Sequence, residues 1–196
     1  MQTHFFDTNH YFIDEKVQFF KFENSYKIYN EHGDQIGIIK QKLSFGQKML
    51  QLIINKAMMP FELEITDNQG QIVASISRGW TFWMSKIMIK NQQGNEIGMI
   101  KQKFKLFKPK FMITDLQDTL IAEISGDWKA WEFNITDPNN ENIGSISKKW
   151  NGMVKELFTS ADKYKVEINP NLNHLDHKVA IIASAITIDM VLKERK

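Results

Sequence analysis

The strongest chemical signal in this sequence is a cluster of lysines in the middle of the chain. Residues 101–110 contain five of them with apolar residues between: Lys101, Lys103, Lys105, Lys108 and Lys110. Alternate residues of a strand point to one face, so the first three form a row if this segment is extended. Near an anionic membrane each lysine contributes about 1 kcal/mol of attraction. The row equally suits a solvated face or a strand edge that lysines protect, so both interpretations stay open.

Lysines recur at equivalent places in two other segments. Lys40 and Lys42 follow the Ile36-Gly37 pair, and Lys148 and Lys149 follow a second Ile-Gly pair. The repeated spacing predicts that these lysines share one basic rim with the central cluster. We therefore predict an anionic phospholipid surface as a partner.

Other chemistry is poorly supported. His174 and His177 flank Asp176, but a protein zinc site needs three or four ligands, and a polar helix start explains the same residues. The chain has no cysteine. It carries no nucleophile elbow, phosphate-binding glycine loop or dinucleotide fingerprint, so we predict that it is not an enzyme. Carboxylates in a barrel cleft would leave a hydrolase as a third class of function.

Composition sets broad limits on the protein. A net charge of +2 over 196 residues, with 42% hydrophobic and 24% charged residues, is typical of a globular protein and predicts no nucleic-acid partner. The first residues have neither the basic start nor the apolar run of a signal peptide. We predict one domain over residues 1–196 and a cytoplasmic location with peripheral membrane association.

A repeated pattern of hairpins organises most of the chain. Two segments of alternating apolar residues flank an Asp, Asn or Gly turn in residues 26–39, 61–76, 87–100, 111–124 and 133–146. Glycine in such a turn supplies the positive φ that tight hairpins need. Four more strands are predicted at Val17–Phe22, Met49–Ile54, Val154–Thr159 and Tyr164–Ile168.

The C-terminal segment predicts a helix over about residues 177–194 that is apolar on every side. The residues assigned to this helix include Val179, Ile182, Ala185, Ile186 and Asp189. Such a helix lies either inside a protein or inside a bilayer. About 15 residues span only about 22 Å, whereas a bilayer core is about 30 Å thick, and an acidic residue opposes insertion. We therefore favour a helix buried in protein over a membrane anchor.

These elements together predict the fold class. About a dozen antiparallel strands, over residues 11–169, remove their edges by closing into a barrel. Side chains alone do not fill a barrel of that width, so the apolar helix is expected at its centre.

The sequence resembles the phospholipid scramblase family over roughly residues 11–194. The segments that carry the resemblance are Pro60-Phe61, Gly98–Gln102, Ile143–Trp150, Phe158–Tyr164, Pro170 and Ile188-Asp189. Tyr11–Val17 is similar to the related LURP-one proteins of plants and bacteria. The resemblance implies the tubby C-terminal-like fold, a closed barrel of about twelve strands around a hydrophobic helix.

The resemblance also implies a function. Scramblases promote calcium-stimulated, non-selective movement of phospholipids between leaflets, and tubby relatives bind phosphoinositides. The family's calcium segment is reduced here to Asp162, followed by Lys163, and calcium needs several carboxylate oxygens, so we predict no cofactor. We expect a scramblase-like protein that binds membrane phospholipids. The alternative is a cytosolic tubby-like adaptor that binds proteins or phosphoinositides without lipid transport.

Overall fold

The computed structural model describes residues 4–16, 25–42, 59–80, 86–105, 108–127, 129–148 and 163–193. Within these ranges the chain forms twelve strands and then one helix. The elements are β1 (His10–Lys16), β2 (Ser25–Tyr29), β3 (Gln35–Lys42), β4 (Phe61–Asp67), β5 (Ile72–Arg78), β6 (Lys86–Asn91), β7 (Glu96–Lys105), β8 (Lys108–Thr114), β9 (Leu120–Asp127), β10 (Glu132–Thr136), β11 (Asn142–Ser147), β12 (Lys163–Ile168) and α1 (Leu175–Lys193).

The strands form a closed antiparallel barrel in which each strand pairs with its neighbours in sequence. β1 closes the barrel by pairing with β12, from His10 opposite Glu167 to Asp14 opposite Lys163. The prediction of a closed, mostly β barrel is confirmed, as are the five hairpins and the strand at 164–168. The predicted strands at 17–22, 49–54 and 154–159 lie outside the described residues. β1 is a strand that the sequence interpretation did not identify.

The five hairpins close with the same turn chemistry. In the β8–β9 turn, Oδ1 of Asp115 accepts hydrogen bonds from the backbone N–H groups of Gln117 at 2.9 Å and Thr119 at 2.7 Å. The fourth turn residue has a positive φ, 66° at Asp118. The same two backbone contacts are made by the first residues of the other turns, namely Asn30, Asp67, Asn91 and Asp137. This short-range chemistry fixes the hairpin register.

The up-and-down topology gives the barrel two different ends. The end that we call the turn end carries the five hairpin turns 30–34, 67–71, 91–95, 115–119 and 137–141, together with the β12–α1 connection. The opposite end, which we call the loop end, carries the connections that join β1 to β2, β3 to β4, β5 to β6, β7 to β8, β9 to β10 and β11 to β12.

Helix α1 fills the barrel interior and runs from the turn end towards the loop end. Near its start, Asn91 of the β6–β7 turn donates a hydrogen bond to Asp176 at 3.5 Å. Every residue from Val179 to Val191 is buried, which confirms the predicted position of the helix. Among the described residues, no helix combines the length and the apolarity that crossing a membrane requires.

Glycines after the hairpin turns allow adjacent strands to approach closely. A Cβ atom on Gly98 would lie 2.6 Å from the backbone oxygen of Thr114, and equivalent contacts occur at Gly37 and Gly144. The Ile-Gly pairs of the sequence therefore mark close backbone approach, one of the alternatives that a glycine inside a strand indicates.

We predict that Gly98→Ala lowers the free energy of unfolding by about 1–3 kcal/mol, because the new methyl group overlaps backbone that has no room to move. Urea unfolding measures the change. The matched control is Gly79→Ala, because a Cβ atom on Gly79 meets nothing within 4 Å. Equal stability of the two variants would contradict the close approach.

We predict that Asp115→Ala lowers the free energy of unfolding by about 1–2 kcal/mol, because two backbone N–H groups lose their acceptor. Asp115→Asn keeps the acceptor oxygen, as Asn30 and Asn91 do in their turns, and is expected to retain most of the stability. Gln117→Ala, at an exposed site in the same turn, is the neutral control. A loss in Asp115→Asn as large as in Asp115→Ala would assign the effect to charge instead.

Candidate lipid-binding surface

The predicted basic face lies on the outer wall of the barrel, on β7 and β8. Lys101 is half-buried and Lys103 is exposed, while Gln102 between them is buried, so alternate residues point outwards as a strand requires. Lys103 is directly opposite Lys110 in the β7–β8 ladder. The backbone of Lys105 is paired with that of Lys108 beside the loop end. The five lysines therefore lie on two adjacent strands.

Two lysines of this face are neutralised by acids that the sequence interpretation did not pair with them. Lys101 forms an ion pair and hydrogen bond with Asp118 of the β8–β9 turn. That hydrogen bond lowers the pKa of the Asp118 carboxyl, so the pair persists well into the acidic range. Lys110 lies 2.5 Å from Oε2 of Glu123 on β9. The wall of β7 and β8 is consequently less positive than its sequence indicates.

Three exposed lysines nearer the loop end lie outside these ion pairs, although the charge of Lys86 also helps to lower the pKa of the Asp118 carboxyl. Lys40 on β3, Lys86 on β6 and Lys103 on β7 are all exposed, and none of them forms an ion pair with a described residue. By contrast, Lys42 is 2.5 Å from Glu64. The sequence interpretation identified Lys40 and Lys103 but missed Lys86, which becomes recognisable only when β6 is placed beside β7.

Tryptophan accompanies these lysines at the loop end. Trp80 directly follows β5 and its surface is 53% exposed, the most exposed of the large apolar residues described. Trp131 precedes β10 with a φ of 53° and packs against Tyr164 at 5.6 Å between ring centroids. The ammonium group of Lys148 lies 4.5 Å from the centroid of a Trp131 ring, within cation–π distance.

The central helix carries an acidic residue into the barrel interior. Asp189 is fully buried on α1, as are the other predicted helix residues Val179, Ile182, Ala185 and Ile186. Burial, followed by the charge of Asp189 and the nearby Tyr26, raises the pKa of Tyr164 well above its ordinary value. Asp189 therefore lies close enough to Tyr164 to act on its ionisation inside the barrel.

The residues considered as metal ligands are Asp162, His174 and His177. Within the described ranges, no group of three or more His, Asp or Glu residues is arranged to hold a metal ion. Asp162, the remaining residue of the calcium segment, lies outside those ranges. The rings of His174 and His177 stack at 4.2 Å between centroids at the start of α1. They therefore face each other as part of the helix start.

Acid is predicted to destabilise the protein partly through His177. Burial and the facing His174 lower the pKa of His177, and the Asp176 carboxylate opposes the shift. The unfolded chain therefore takes up this proton at a higher pH than the folded chain, and stability falls as pH drops below about 6.5. His177→Asn is expected to reduce the loss of unfolding free energy between about pH 7 and pH 5.

Urea unfolding at several pH values measures this effect. The control is His32→Asn, because His32 is an exposed histidine of the β2–β3 turn. If the two variants show the same pH dependence as the unaltered chain, His177 makes no contribution.

Comparison with known proteins gives a consistent family assignment. A family model described as Scramblase matches residues 12–195. The human protein Phospholipid scramblase family member 5 is 26% identical over 186 residues, which cover 87% of this chain and 66% of that protein. Human Phospholipid scramblase 2 is 27% identical over 190 residues, covering 90% and 62%. A phospholipid scramblase family protein of Schizosaccharomyces pombe is 24% identical, covering 88% and 50%. The chain spans about two thirds or less of these relatives.

A solved structure shares the architecture. The X-ray structure of a protein from Arabidopsis thaliana aligns with a TM-score of 0.53 and covers 96% of this chain and 94% of the plant protein. The two sequences are only 7% identical. The likeness therefore concerns the fold alone.

Proposed function

The chain belongs to the Scramblase family, and we propose that it binds the surface of anionic phospholipid membranes and promotes the movement of phospholipids between the two leaflets. The relatives named phospholipid scramblases support the lipid substrate. We propose that the protein acts without a cofactor and without covalent catalysis. The exposed lysines of the barrel are the observation that carries the membrane contact.

These lysines contribute a substantial free energy of binding to an anionic membrane. Lys86 and Lys103 lie on the adjacent strands β6 and β7, and Lys40 lies on β3. At about 1 kcal/mol each, they contribute about 3 kcal/mol, or roughly a hundredfold in the membrane partition coefficient. Exposed charges are screened over about 10 Å at 0.1 M salt, so binding of this kind weakens as salt is added.

The filled interior suggests where lipid movement takes place. Helix α1 occupies the centre of the barrel, and its residues from Val179 to Val191 are buried. A phospholipid headgroup therefore has no aqueous route along the barrel axis while α1 is in place. In our proposal the barrel acts from the membrane surface, and phospholipids exchange through bilayer that the bound protein perturbs.

We predict that the double variant Lys86→Gln/Lys103→Gln weakens binding to vesicles of phosphatidylcholine and phosphatidylserine about 30-fold, because two attractive charges of about 1 kcal/mol each are lost. Vesicle co-flotation at several salt concentrations measures this binding. The control is Lys90→Gln/Lys178→Gln, which removes the same formal charge near the turn end; Lys90 is on the same strand as Lys86 and lies 3.9 Å from Oε1 of Glu96.

Other outcomes of this experiment separate the alternatives. Equal weakening by both double variants would show that net charge matters and position does not. Absence of binding by the unaltered chain under all conditions would overturn the proposal and favour the adaptor function. For a chain that binds, a leaflet-exchange assay with a fluorescent phospholipid, with and without calcium, tests transport separately.

A further inference from the structure

The two ends of the barrel carry charges of opposite sign. The five hairpin turns at the turn end contain no lysine or arginine. They carry the carboxylates of Glu31, Asp34, Asp67, Asp115, Asp118, Asp137 and Glu141. A surface of this composition is repelled by anionic lipid headgroups.

Basic residues predominate in the strand halves nearer the loop end and in the short segments beside them. Among the described residues these are Lys16, Lys40, Lys42, Arg78, Lys86, Lys103, Lys105, Lys108, Lys110, Lys129, Lys148 and Lys163. The acids of the same half are fewer: Asp14, Glu15, Glu62, Glu64, Glu123, Asp127 and Glu132. The charged residues that the structure describes are therefore distributed unequally, with a positive excess near the loop end and a negative excess at the turn end.

The tryptophans are also distributed unequally between the two ends of the barrel. Trp80 and Trp131, the two tryptophans that the structure describes, adjoin the loop end. Tryptophan is enriched where a protein meets the headgroup layer, because its ring is apolar and its N–H is polar. None of the hairpin turns at the turn end contains tryptophan.

We propose that the barrel docks on an anionic membrane with its loop end, with α1 steeply inclined to the bilayer and the turn end facing away. The proposal rests on the membrane binding proposed above and specifies its geometry. Docking by the wall of β7 and β8 is disfavoured because Asp118 and Glu123 neutralise Lys101 and Lys110 there. At the loop end, positive charge surrounds the rim and exposed tryptophan adds apolar contact.

The orientation is measurable because the chain has no cysteine, so one introduced thiol is a unique labelling site. Four single variants leave the charge unchanged: Gly79→Cys at the loop end, Gln117→Cys at the turn end, Met112→Cys on the lysine-bearing wall and Ile38→Cys on β3, five strands away. The two ends are roughly 20–25 Å apart along tilted strands, far enough to separate label depths.

Each variant is labelled with an environment-sensitive fluorophore and mixed with vesicles of phosphatidylcholine and phosphatidylserine. We expect emission at Gly79→Cys to shift to shorter wavelength and rise several-fold, and a nitroxide-bearing lipid to quench it. The label at Gln117→Cys is expected to remain unchanged. Labels at Met112→Cys and Ile38→Cys are expected to respond weakly and equally.

Different results overturn different statements. A response at Met112→Cys that exceeds those at Ile38→Cys and Gly79→Cys would establish side-on docking and overturn the orientation alone. A response at Gln117→Cys would reverse the orientation. Absence of vesicle binding by the unaltered chain would overturn the proposed function and the orientation together.

A substitution at each end provides an independent test. Trp80→Ala is expected to weaken vesicle binding several-fold, and the loss is expected to persist in high salt because the contact is apolar. The matched control is Leu116→Ala, an exposed apolar residue of the turn end, 45% exposed compared with 53% for Trp80. Equal effects of the two substitutions would contradict loop-end docking.

Discussion

The enclosure of one apolar helix by a closed sheet is the constraint on which the rest of this structure depends. Twelve strands make a barrel whose interior exceeds the reach of the inward side chains, so without α1 the centre would be empty. Small residues such as Ala183 and Ala185 let the helix fit close to the sheet. The closed sheet also shields the apolar helix from water, because the surface of α1 and the inner face of the sheet are buried against each other.

The same topology explains why the two ends of the molecule differ so much in chemistry. An up-and-down barrel brings all of its tight hairpins to one end, and each of these hairpins needs an Asp or Asn to hold the turn. Three of the seven acidic residues in these turns, Asp67, Asp115 and Asp137, are explained by this structural requirement. The opposite end is free of this requirement, and Lys40, Lys86, Lys103 and Trp80 are exposed near it.

Local patterns in the sequence predicted the fold well, because period-two alternation and an all-round apolar helix are readable within a few residues. The five hairpins, β12 and α1 follow directly from such patterns. What sequence reasoning missed depends on register. Nothing near Lys101 in the sequence shows that Asp118 reaches it across the β8–β9 turn, and Lys110 meets Glu123 only because β8 pairs with β9.

The basic face illustrates how this limit affects a candidate site. Counting lysines between residues 101 and 110 predicts a cationic face, whereas the folded chain leaves Lys103 exposed and neutralises two of its neighbours. These are Lys101 on the same strand and Lys110 opposite it on β8. Lys86 joins the surface from another strand, forty or more positions from Lys40 in the sequence. The net charge of a surface therefore depends on which strands pair in the sheet, and the sequence of a single strand predicts it poorly.

The pairing of β1 with β12 has a consequence for how the chain is made. The barrel closes only when β12 has been synthesised and can pair with β1, and α1 follows β12 in the sequence. A ribosome must therefore release all of these strands and the helix itself before the helix reaches the space that closure encloses. Until then the growing sheet has two open edges and an apolar inner face, the features that make nascent β proteins substrates for chaperones.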